Sequence, residues 1–165
     1  MELIDCLISD HDIIRKFISE LESTDNNKIK NKIFIELLVF LRAHFRAEEM
    51  AVYSKSLKAS NYEINEMTLD GYEEHHLLED LIYRIKNAEK DDQLWISRIK
   101  DFCQVLDLHL SSEETDFFPE LKNYFNRVDL DKAAIIYLKN KKAELILAEQ
   151  DQSRNYDFYH KNLLN

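Results

Sequence analysis

Glycine and proline are almost missing from this chain, with one of each in 165 residues. Sheet proteins need turn residues every few positions, so this scarcity excludes most β architectures and predicts long helices with few breaks. Cysteine is scarce too. Cys6 and Cys103 stand apart among apolar neighbours, with no Cys-x-x-Cys, and each reads as a buried thiol rather than half of a redox pair. Long apolar runs are lacking: the richest, Ile33 to Leu41, is short and contains Glu36, so no bilayer span is predicted. The start of the sequence, Met1-Glu2-Leu3-Ile4-Asp5, lacks the basic segment and apolar core of an ordinary secretion signal. Basic charge is in deficit, with 22 Lys and Arg against 32 Asp and Glu and a net charge of -10. That balance argues against nucleic acid and against an anionic membrane as partners. The expectation is a soluble, cytoplasmic protein with one core, large enough for a single domain.

What is present is a repeated device. His109-Leu-Ser-Ser-Glu113 places an imidazole and a carboxylate four residues apart, one turn apart on the same face of a helix. His44-Phe-Arg-Ala-Glu48 does the same. The spacing from His44 to His109 and from Glu48 to Glu113 is 65 residues in both cases. Apolar positions upstream repeat with it: Phe34, Leu37, Leu38, Phe40 and Leu41 match Ile99, Phe102, Cys103, Val105 and Leu106. A second correspondence joins Asp10-His11, followed by Ile14, Phe17 and Ile18, to Glu74-His75, followed by Leu78, Leu81 and Ile82, at a spacing of 64. This alignment selects His75 over His76, which lies about 100° further round the helix.

The chain therefore reads as a duplicated helical hairpin. Helices are predicted over residues 2–22, 28–57, 66–89 and 93–124, with turns at Ser23 to Asn27, Ala59 to Tyr62 and Lys90 to Asp92. Four long helices with short connections fold most simply as an all-α, up-down-up-down four-helix bundle. At 1.5 Å per residue, His11, His44, His75 and His109 lie at similar depths from one end of that bundle and fall in one layer. Residues 1–124 make the bundle. Residues 125–165 lie outside the repeat: a C-terminal helix, capped by Asp129 or Asp131 and running to about Gln150, is expected to pack on the bundle or at a dimer contact. Its apolar positions are Ile135, Ile136, Leu138, Leu145 and Leu147. The last fifteen residues carry no clear signal, and His160 there has no partner at ligand spacing.

Six inward groups are thus proposed as metal ligands: His11, His44, Glu48, His75, His109 and Glu113. A single His-x-x-x-Glu on a helix is ordinarily a surface pair. Two pairs in register, each aligned with a further histidine on a partner helix, are not. Two buried carboxylates without a cation are costly, and the nearest bases, Arg15 and Arg42, have no counterpart in the repeat. Four imidazoles with two carboxylates suit iron, manganese or zinc rather than calcium or magnesium. Bridging carboxylates, two histidines per metal and an oxo or hydroxo bridge give five-coordinate ions with a position open for a small ligand. Glu49 and Glu114 are expected to face solvent or to support the ligands, and Tyr53, Tyr72 and Phe118 to border the site.

At these residues the sequence resembles the hemerythrin family, in its bacterial cation-binding form, over residues 1 to about 124. The run His109-x-x-x-Glu113-Glu114-x-x-x-Phe118-Pro119 is its most telling part. The resemblance implies a non-haem di-iron centre (Fe2+/Fe3+), with manganese or zinc as substitutes, open to dioxygen, nitric oxide or peroxide. Oxygen-carrying members have a further histidine four positions after the one on the third helix, where this chain has Glu79. Four histidines and two glutamates are closer to the iron-sulfur repair proteins and to the iron- and oxygen-sensing domains. The carriers also place an acidic residue five after the last histidine, which is Glu114; the internal repeat favours Glu113, and both stand as candidates. The leading expectation is a binding or sensing module for O2, NO, reactive oxygen or iron, as a monomer or homodimer. The alternatives are a di-iron redox enzyme reducing nitric oxide or peroxide or repairing iron-sulfur centres, and a bundle whose histidines are incidental.

Overall fold

A computed structural model describes residues 2–89 and 93–163, with side chains through residue 150. Among these the chain is helical with no strand. α1 is Leu3–Ser23. α2 is Asn27–Glu48, continued by a π-helical turn, Glu49–Tyr53, and a last α turn, Ser54–Ser56. α3 is Tyr62–Lys86. α4 is Gln93–Ser112, continued by the π turn Glu113–Phe117 and the α segment Phe118–Tyr124, and α5 is Arg127–Leu163. α1 to α4 form the up-down-up-down bundle that the duplicated hairpin predicts. The expected turn at Lys90 to Asp92 lies outside the described residues.

Asparagines set three of the helix starts. Asn26 Oδ1 accepts from the backbone N–H groups of Lys28 and Ile29 at 3.0 and 3.2 Å, an N-cap that begins α2. Asn61 Oδ1 accepts from Ile64 N at 3.2 Å, so α3 begins at Tyr62, four residues earlier than the apolar pattern suggests. Asn126 Oδ1 accepts from Asp129 N at 2.9 Å, so neither Asp129 nor Asp131 caps α5. α5 also departs from its expected face. Ile135, Ile136, Leu138 and Leu147 are exposed, whereas Leu130, Ala133, Ala134 and Tyr137 are buried at i, i+3, i+4 and i+7. The two alanines permit close approach to the bundle, and this face packs on α2, its π turn and α1. Among the described residues no helix is long and apolar enough to cross a membrane.

The interior divides into two apolar clusters. One holds Leu3, Leu7, Val52, Ile64, Phe117, Phe118 and the buried face of α5. The other holds Ile14, Ile18, Phe34, Leu37, Leu78, Trp95, Phe102 and Leu106. Between them, at the level of His11 and His44, lies a layer of buried polar side chains.

Candidate metal centre

The four helices of the bundle each contribute to that layer. His11 comes from α1, His44 and Glu48 from α2, His75 from α3, and His109 with Glu113 from α4 and its π turn; all six are buried. One π turn begins just after Glu48 of the first His-x-x-x-Glu segment, and the other begins at Glu113 of the second. In each, backbone bonding steps out by one residue: Ser54 N–H reaches Glu49 O, and Phe118 N–H reaches Glu113 O. The wider turn re-aims the acidic and aromatic residues just beyond the His-x-x-x-Glu pair. The single proline, Pro119, sits just past the second of these turns, at the start of an α segment.

Six atoms of this layer converge. Glu113 Oε2 lies 3.3 Å from His11 Nε2 and 3.6 Å from His109 Nε2. Glu48 Oε2 lies 3.7 Å from His44 Nε2 and 3.8 Å from His75 Nε2. Two donor sets of metal-binding dimensions result: Glu48, His75, His109 and Glu113 in one, His11, His44 and Glu113 in the other, with Glu113 common to both. The four Nε2 atoms, both oxygens of Glu48 and Oε2 of Glu113 have no hydrogen-bond partner in the protein.

The opposite side of every ring is held. His11 Nδ1 meets Glu114 Oε1 at 2.7 Å, His75 Nδ1 meets Glu49 Oε1 at 3.0 Å, and His109 Nδ1 meets Glu74 Oε2 at 2.7 Å. A carboxylate only accepts, so Nδ1 carries the hydrogen and the Nε2 lone pair faces the centre. His44 Nδ1 donates instead to the Tyr137 hydroxyl at 2.7 Å, and Tyr137 in turn donates to Asp10, which Lys141 neutralises. Ordered rings with free lone pairs are what a bound metal requires of its histidines.

Electrostatics tell the same story. Burial, reinforced by the charge of Glu113, pushes the Glu48 carboxyl well above its ordinary range. Burial also acts to raise Glu113, but His109, His11 and His75 outweigh it and hold that carboxyl well below the usual range. Burial lowers His44 to about 4 and lowers His75 too, against the pull of their acidic partners. For His109 burial is overcome by Glu113 and Glu74, and the ring is raised. Arg15 spends its charge on Glu114, at 2.8 and 3.1 Å, and Arg42 pairs with Glu144 at 3.8 Å. Among the described residues no lysine or arginine reaches Glu48 or Glu113. Two carboxylates so placed need a cation to be ionised together.

The aromatic residues have distinct parts. Tyr53 donates to Glu113 Oε1 at 2.7 Å, Tyr72 meets Tyr53 edge-on, and Phe118 stacks on His11 with centroids 5.5 Å apart. Phe45 covers His75 at 3.8 Å. His76 is exposed, and Glu79 is half-exposed and paired with Arg46 at 3.8 Å, so no fifth histidine or substitute stands there. Glu114 sits behind His11 rather than among the converging atoms. Sequence reasoning passed over Asp10, Glu74 and Tyr137. The first two carried a signal, as each immediately precedes the histidine that aligns α1 with α3; Tyr137 carried none.

A helical bundle enclosing ordered imidazoles and carboxylates of this kind is a metal-binding protein. The pattern of the Hemerythrin HHE cation binding domain matches residues 2–121, and the chain belongs to that family. It is similar to an uncharacterized hemerythrin-like protein of the fission yeast Schizosaccharomyces pombe, 21% identical over 138 residues, which cover 84% of this chain and 68% of the relative. No solved structure gives a significant match.

Proposed function

We propose that His11, His44, Glu48, His75, His109 and Glu113 hold two non-haem iron ions sharing an oxo or hydroxo bridge. On this reading the protein binds or senses dioxygen, nitric oxide, peroxide or iron itself. The observation that carries it is the set of seven buried ligand atoms without a partner in the protein, facing one another while each Nδ1 is fixed from behind. His11 and His44 serve one ion, His75 and His109 the other, and Glu113 and Glu48 lie between. When bound, such a pair supplies reversible redox chemistry and an open coordination position for a small ligand. The chain's own residues orient and shield it. The acids behind the rings set their tautomers, and Phe45 and Phe118 cover two imidazoles and keep water from their faces. Tyr53 fixes Glu113 through one oxygen and leaves the other free.

The test is anaerobic iron loading followed by metal analysis and absorption spectroscopy after exposure to air. The expected result is one iron for each of the two donor sets and a near-ultraviolet band of a bridged ferric pair. Less than one iron per chain would overturn the dinuclear reading. Steady-state turnover with nitric oxide or peroxide would replace a binding role with an enzymatic one.

A further inference from the structure

A cavity of about 600 Å³ opens between α3 and the π turn of α4. Its walls carry Asp70, Glu73 and Glu74 from α3 and Asp116 from the π turn, and no lysine or arginine lines it. Glu74 is committed to His109. Asp70, Glu73 and Asp116 are exposed and make no ion pair with any described residue. Tyr53 and Glu113 also line this cavity. Glu113 is 3% exposed, has one oxygen held by Tyr53, and has its other oxygen unpartnered between His11 and His109. Glu113 therefore borders both the cavity and the converging Nε2 atoms. An uncharged gas has no use for such walls. An anion is repelled by them, and a divalent cation is drawn in by their summed field.

We propose that this cavity is a divalent-cation landing site through which ferrous ion reaches the metal centre. Asp70, Glu73 and Asp116 capture the ion from solvent. Glu113, bordering both spaces, accepts it on the unpartnered oxygen and passes it to the histidines. The single glycine of the chain belongs to this arrangement. A Cβ on Gly71 would come within 2.5 Å of the Tyr53 hydroxyl, so only glycine leaves Tyr53 its place beside Glu113 at the cavity wall. The proposal rests on the six-residue metal centre argued above.

Stopped-flow mixing of metal-free protein with Co2+ tests it, because visible ligand-field bands report arrival in the histidine and carboxylate shell. The variant Asp70→Asn/Glu73→Gln/Asp116→Asn touches no proposed ligand and no residue that holds one. It is expected to take up Co2+ roughly tenfold or more slowly at low ionic strength, with unchanged final stoichiometry and spectrum. Added salt should slow the natural protein towards the variant and leave the variant nearly unaffected. A control of equal charge change, Glu20→Gln/Asp25→Asn/Asp101→Asn, alters exposed acids towards the α1–α2 turn and should load at the natural rate. Equal slowing in both variants would reduce the effect to net charge, and an unchanged rate in the first would place admission elsewhere; either overturns the proposal. Lower final stoichiometry in the first variant would make these acids resting ligands and overturn it as well. Failure of the natural protein to develop the bands at all would overturn the metal centre itself, an outcome distinct from a change in rate.

Discussion

The two hairpins use the same parts at corresponding positions, yet they close off their halves of the centre differently. Glu49 of the first hairpin holds His75 of the second, and Glu114 of the second holds His11 of the first. Asp10 and Glu74, equivalent in the repeat, each serve the histidine of their own hairpin. There the likeness ends. Glu74 reaches His109 directly at 2.7 Å and is 39% exposed. Asp10, one carbon shorter, stays 3.4 Å from His44 and is 7% exposed, and the Tyr137 hydroxyl from α5 fills the gap. Tyr53 and Phe118 are equivalents as well, but only the phenol can donate, so Glu113 gains a hydrogen bond that Glu48 lacks. Leu7 stands where α3 has Gly71. One side of the centre is sealed by a fifth helix, and the other faces an acidic cavity. Duplication supplies the converging histidines and glutamates. The departures from duplication determine which side is open.

Removing the shared member should break the comparison most severely. Glu113→Ala takes a carboxylate from both donor sets at once and is expected to abolish most metal binding. Loss of a ligand held at a hundred times its dissociation constant removes about 2.7 kcal/mol of stability, or roughly 5–10 °C in a chain of this size. Glu114→Ala, measured beside it, should retain most of the metal; if instead Glu114→Ala loses the metal and Glu113→Ala keeps it, the ligand assignment on α4 is one residue off. Gly71→Ala comes next. In an open helix this change stabilises by about 1 kcal/mol. Here the new Cβ meets Tyr53 Cζ at 2.8 Å, and overpacking is expected to destabilise by about 1–3 kcal/mol in urea titration. A gain in stability would mean that the Tyr53 ring moves freely.

Tyr137→Phe sharpens the comparison by leaving His44 with only the more distant Asp10. Loss of such supporting bonds typically costs about 10–100-fold in metal affinity, and competition with a chelator should show it for one of two ions. An equal loss at both would mean that α5 supports the whole centre rather than one side. The smallest effect is expected of His76→Ala: the ring is exposed, and metal content should hold while stability stays within about 0.5 kcal/mol. His75→Ala, its buried neighbour, should lose metal under the same conditions.

Periodicity and duplication made the bundle, the depth of the histidines and the six converging residues legible before any coordinate. They succeed because a repeat reports what both halves must share. Tyr137 belongs to neither half, and nothing in the sequence of α5 marks its hydroxyl as partner to a residue 93 positions away. The face of α5 was misread for a related reason. Ile135, Ile136, Leu138 and Leu147 are exposed, and the helix approaches the bundle through Ala133 and Ala134, which hydrophobicity alone ranks low. Glu49 and Glu114 read as support or surface carboxylates; that they cross between hairpins depends on the widened turns, which no local propensity announces.

The layer of polar side chains divides the apolar interior into two clusters, one resting on α5 and one around Trp95 and Phe102. A continuous core melts as a unit, whereas two cores joined through a layer of buried polar groups without hydrogen-bond partners share little favourable contact across the join. Cations bound in that layer would give those atoms a partner and tie every helix of the bundle together. Metal would then govern cooperativity as well as stability. With it, calorimetric and van't Hoff enthalpies of unfolding should agree; without it, the calorimetric value should exceed the van't Hoff value as the two ends of the bundle melt separately.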